Sequence, residues 1–89
     1  MQWEPGIQAK FNLFISKIPI FHRRMTQEAV TKQAEQIAAA RQASQVEEQD
    51  VVAAFFSDVP SPFYSMMIRL LDQMGFDYKK YGLPKARRN

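Results

Sequence analysis

The sequence contains no cysteine, a single histidine and only three glycines in 89 residues. Without thiols there is neither a disulfide framework nor a thiolate metal site, and an extracellular domain this small ordinarily needs one, so a reducing cytoplasm is the expected location. One histidine and no cysteine leave a nucleophile–base–orienter triad without its parts, and the chain is expected not to be an enzyme. The glycines Gly6, Gly75 and Gly82 are scattered as turns or caps and form no phosphate-cradling loop. No apolar run approaches the roughly 20 residues that span a bilayer, and the N-terminal residues show no basic stretch followed by an apolar one, so neither a membrane span nor an export signal is expected.

The acidic residues Glu28, Glu35, Glu47, Glu48, Asp50, Asp58, Asp72 and Asp77 are expected mostly on outward helical positions or at helix starts. Solubility and capping account for them, and Glu47, Glu48 and Asp50 lack the loop pattern and glycine of a calcium site. No metal and no cofactor are expected.

What is present is apolar bulk: seven Phe, five Met, three Tyr and one Trp within a hydrophobic share of 46%. That suffices for one modest core, and the chain reads as one domain over residues 1–84 followed by a disordered basic tail, 85–89. The net charge of +3 is unevenly placed. Lys79, Lys80, Lys85, Arg87 and Arg88 are five of the twelve basic residues, which leaves seven basic against nine acidic in positions 1–78.

Four segments carry helical periodicity and none carries a period-2 strand pattern, which predicts an all-α, small four-helix domain with a basic C-terminal tail. The first spans about 5–17, with Ile7, Phe11, Phe14, Ile15 and Ile18 on one stripe and Pro5 in its first turn. Pro19 ends it. The second spans about 21–43, with Met25, Ala29, Val30, Ala34, Ile37 and Ala38 expected inward. The stretch from Ala43 to Glu47 breaks the period, Val46 is expected to pack down, and Glu47 and Glu48 suit the positive end of a new helix dipole. Val52, Phe55, Phe56 and Val59 define the third helix, and two prolines after Asp58 stiffen the connection. The fourth begins near Ser61 or Pro62, aligns Phe63, Met67, Leu70, Leu71 and Met74, and ends where Gly75 suits a left-handed cap.

The densest polar feature is Phe21-His-Arg-Arg-Met at the mouth of the second helix. His22, Arg23 and Arg24 are the candidate ligand- or partner-binding residues, because adjacent guanidiniums offer paired donors to a carboxylate or phosphate. His22 is also able to ligate the metal of a tetrapyrrole, although a solvated helix start explains it as well. The alternative surface is the tail, where Lys79, Lys80, Lys85, Arg87 and Arg88 interleave with Tyr78 and Tyr81 in a manner suited to nucleic acid. The acidic body and the lack of a reading motif weigh against it. A third reading is a structural subunit that buries a Phe/Met face against another chain. Trp3 reads as a cover over the first helix or as an anchor.

The order of features in residues 3–56 resembles the protochlorophyllide-reductase-like helical domain, found at the C-terminus of the B subunit of light-independent protochlorophyllide reductase. The resemblance rests on Trp3, the Ile18-Pro19-Ile20-Phe21 break with Arg23 and Arg24, the long helix holding Ala34-Glu35 and Ala38, and the Val46-x-x-x-Asp50-Val51 start leading to Ala54. It implies a non-enzymatic accessory domain linked to tetrapyrrole or chlorophyll biosynthesis in photosynthesis, or to a related redox complex. A protein is the implied partner, with a tetrapyrrole as a further one. Reduction chemistry in that family belongs to a larger body whose cysteines are absent here. Of the matching residues, Arg23 has chemistry suited to an anionic group, and Trp3, Pro19, Phe21 and Asp50 read as fold-determining. His22 stands where the family more often has an aliphatic residue, the long helix runs into Ala43-Ser44 without the usual glycine, and residues 57–89 lie outside the pattern.

Overall fold

Glu4 starts the first helix by accepting hydrogen bonds from the amides of Gly6 (3.0 Å) and Ile7 (2.9 Å) through its carboxylate, satisfying two amides that the first turn cannot. From this cap the computed structural model, which describes residues 1–83, builds α1 (Pro5–Ser16), α2 (Ile20–Ala40), α3 (Glu48–Asp58) and α4 (Tyr64–Met74). The all-α architecture expected from periodicity is the architecture found.

One addition was not legible from period-2 patterning. Gln2–Trp3 (β1) and Gln45–Val46 (β2) pair in parallel, with Trp3 beside Val46, and the Glu4 amide donates to the Val46 carbonyl at 2.9 Å. Two residues cannot display an alternation. The pairing ties the N-terminus to the link between α2 and α3.

The turn between α1 and α2 follows from Pro19, and its exposed carbonyls are taken up from within. Arg23 donates from Nε to the Ile18 carbonyl (2.7 Å) and from Nη2 to that of Ser16 (2.9 Å). At its far end α2 closes three residues earlier than the sequence pattern suggests. Gln42 turns left-handed at φ 60°, so that the Ala43 amide donates to Ala38 (2.9 Å) and the Gln42 amide to Ala39 (3.0 Å), the Schellman arrangement. In α3, Asp50 reaches back to accept from the Glu47 amide (2.8 Å), and Gly75 ends α4 left-handed at φ 80°.

The core centres on Phe55 of α3, whose ring lies 4.3 Å from Phe14, 5.9 Å from Phe11 and 6.5 Å from Phe76, centroid to centroid. Val30, Ala34 and Ala38 of α2 close it from the other side, and their small side chains let α2 and α3 approach closely. Two inward assignments on α2 are corrected, and Phe63, expected on the stripe of the fourth helix, is 54% exposed in the turn before α4. Met25 is 71% exposed and Ala29 is also exposed. At 100° per residue both point away from the line of Val30, Ala34 and Ala38, so they cannot share its core. Among the described residues no single helix is long and apolar enough to cross a membrane.

After α4 the chain returns across the start of α3. Phe76 and Tyr78 are buried, the Tyr81 hydroxyl donates to Glu48 at 2.6 Å, and Lys80 pairs with the same carboxylate at 3.2 Å. The expected disordered tail, residues 85–89, lies outside the described residues.

Candidate functional site

The first turns of α2 project apolar bulk into solvent. Phe21 is 91% exposed and Ile20 67%, with Met25 one turn beyond Phe21. Phe21 and Met25 share one side of the helix while Ile20 points about 140° from Met25, and two large apolar side chains exposed together mark interaction surfaces more often than single exposed residues do.

The three residues read from sequence as the site separate here. His22 and Arg24 are exposed, whereas Arg23 turns back on α1 and spends two N–H donors on the Ser16 and Ile18 carbonyls. Successive helical residues point about 100° apart, so Arg23 and Arg24 do not converge into a paired anion clamp. Arg24 instead meets Glu28 one turn on at 3.1 Å, an exposed pair of small energetic weight. No group of three metal-ligating side chains occurs among the described residues.

Beside the patch an open, shallow depression runs along α2 from Arg24 to Ala39, with Gln27, Glu28, Thr31, Lys32, Glu35 and Gln36 between and Met1 at its rim. Trp3 overlooks it. Its ring packs on Phe11 at 5.1 Å, as the core-cover reading expected, and its Nε1 donates to Glu35 at 2.9 Å.

The groups with shifted ionisation lie elsewhere and hold the fold. Asp50, fully buried, accepts from Arg41 through both carboxylate oxygens (2.8 and 2.7 Å), and Glu47 adds a third bond at 2.9 Å. The bond from Asp50 and then that from Glu47 push the Arg41 guanidinium up against the opposing effect of burial. Burial raises the Glu48 carboxyl, yet the Tyr81 hydroxyl, the Asp77 amide and Lys80 together hold it below its ordinary value. Burial and the carboxylate of Glu48 raise Tyr81. Every buried side-chain polar atom among the described residues has a partner, so no orphaned donor awaits a ligand.

The alternative basic surface is partly absorbed by the same return segment. Tyr78 is buried, Tyr81 is bonded to Glu48, and Lys80 is paired, which withdraws both rings from the stacking that single-stranded nucleic acid requires. Lys79 stays exposed, and Lys85, Arg87 and Arg88 lie outside the described residues.

Sequence reasoning missed the apolar part of the site because Phe and Met at helical spacing usually mean core. The signal was available. In α2, Phe21, Met25 and Ala29 form one line at i, i+4 and i+8, while Val30, Ala34 and Ala38 form a second on the opposite side, and one core covers only one of them. Comparisons of the chain with family models, curated proteins and solved structures found no match.

Proposed function

We propose that this chain is a non-enzymatic helical interaction domain that docks on another protein through the outer face of α2. The observation that carries the reading is the exposure of Phe21 at 91% one turn from exposed Met25, on a molecule whose buried side-chain polar atoms all have partners among the described residues. Exposed His22, and Arg24 in its pair with Glu28, give these apolar side chains a polar rim of the kind that surrounds interface cores.

The same reading includes the resemblance to the protochlorophyllide-reductase-like domain, with an accessory role in tetrapyrrole or chlorophyll biosynthesis or in a related redox complex. In its favour, the residues that carry the resemblance act together as scaffold. Trp3 pairs with Val46 and bonds Glu35, Arg23 caps the corner at Pro19, and Asp50 anchors α3. The left-handed backbone at Gln42 also falls at the turn where that family has its glycine.

The test is site-specific photocrosslinking in the host cell, with benzoylphenylalanine in place of Phe21 and, as control, in place of the exposed Gln73. A discrete protein adduct from position 21 alone supports the reading, and its absence overturns it. Phe21→Ala is then expected to weaken binding to the captured partner by about 2 kcal/mol while leaving thermal stability unchanged, since the ring is an exposed anchor and not core. An amide-resolved NMR titration with protochlorophyllide tests the pigment link, with saturable shifts over residues 21–25 expected.

A further inference from the structure

The outer face of α2 has a pattern that the patch at its start does not explain. Phe21, Met25, Glu28, Lys32, Glu35 and Ala39 follow one another at spacings of four, three, four, three and four, which keeps them on one side of the helix. That series reads the same from either end. Its centre is at the level of residue 30, which is also the midpoint of α2 (Ile20–Ala40).

Turned antiparallel against itself about that midpoint, the face is complementary to itself in size and in charge. Phe21, the most exposed large apolar side chain among the described residues, comes opposite Ala39, where the shallow depression beside Met1 and Gln36 offers room for a ring. Glu28 comes opposite Lys32, and the twofold repeats the pair. Met25 comes opposite Glu35, whose carboxylate is drawn aside by the Trp3 indole at 2.9 Å and so leaves its aliphatic stem to be covered. Lys32 makes no ion pair among the described residues, so it remains available for an acidic partner.

We propose that the partner seated on this face is a second copy of the chain, in an antiparallel, twofold α2–α2 dimer. The inference rests on the reading of the outer face of α2 as a docking surface and names its occupant. An isologous contact must be self-complementary, with each residue meeting its counterpart twice, and a knob and a hole at opposite ends of one helix satisfy that condition. A single helix seam about 30 Å long sits at the low end of stable interfaces, so an exchanging, micromolar dimer is expected rather than a permanent one.

Analytical ultracentrifugation of the full chain, from about 10 µM to 1 mM, tests it. The expected result is a monomer–dimer equilibrium that Phe21→Glu abolishes. Glu28→Lys and Lys32→Glu should each weaken it at least tenfold, and the two together should restore it to within about threefold, because the swapped pair is again complementary. Circular dichroism confirms that the variants stay folded, as all three positions are exposed. A wild-type chain that stays monomeric to 1 mM, or a dimer indifferent to the charge swaps, overturns the proposal. If position 21 then crosslinks to a different protein, the docking reading survives without the dimer. If it crosslinks to nothing, both fall. Sedimentation with anionic phospholipid vesicles that depends on Phe21, from a chain that is monomeric without them, would replace the second copy with a lipid surface.

Discussion

Gln42 holds a conformation that its side chain disfavours. A left-handed φ of 60° brings Cβ toward the following carbonyl at a cost of about 1 kcal/mol or more, which glycine avoids. The residue stays there because the turn is over-determined. The Ala38 and Ala39 carbonyls need the amides of Ala43 and Gln42, and the next residues must enter the pairing with Trp3. Gln42→Gly is therefore expected to raise stability by about 0.5–1 kcal/mol in urea melts, with no change in helix content. Asp50 is the opposite case. Its burial is compensated by Arg41 on both oxygens and by the Glu47 amide, so Asp50→Ala would remove two of the three bonds of the guanidinium and leave the Glu47 amide without its acceptor, whereas exposed Arg24→Ala would cost almost nothing.

Between elements, the corner joining α1 to α2 depends on a side chain that sequence alone marks as a binding residue. Arg23 bridges the last carbonyl of α1, at Ser16, and that of Ile18 in the link from the first turn of α2, doing the work that a glycine cap would do elsewhere. Arg23→Ala should cost about 1–2 kcal/mol of stability, read by thermal denaturation, and leave binding at the outer face of α2 unchanged once the protein is folded. A loss of binding without a loss of stability would return Arg23 to the interaction surface. The site was thus legible in position but not in composition. The cluster at residues 21–25 stood out by charge, yet helix geometry sends Arg23 inward and brings Phe21 and Met25 outward in its place.

Across the whole molecule, Glu48 couples the start of α3 to the chain returning after α4. It accepts from the Tyr81 hydroxyl, the Asp77 amide and Lys80, all more than 28 residues away in sequence. These contacts favour the charged form and hold its folded pKa below the unfolded value. A depressed carboxylate contributes stability that is present above its unfolded pKa, ordinarily about 4.3, and that is lost as pH falls through the lower folded value. Urea melts between about pH 6 and pH 3 should show that loss, and Glu48→Gln should be less stable near neutrality and show a shallower acid dependence. Equal slopes in the two proteins would mean that Glu48 is not part of the acid response.

The sequence by itself determined the class of fold and most of its punctuation. Pro19, the prolines after Asp58 and Gly75 act through the backbone of their own residues, and the stripes on α1 and α4 follow from a fixed angle per residue. Such effects are local and need no partner to be read. Tertiary structure alone decided which of the two apolar lines on α2 enters the core, that Arg23 serves as a cap, and that Trp3 pairs with Val46. It also turned a basic, aromatic segment into a clasp on Glu48. Each of these is a choice between alternatives of nearly equal local propensity. They are settled by contacts between residues far apart in the chain, where burial around Phe55 outweighs what any one segment prefers.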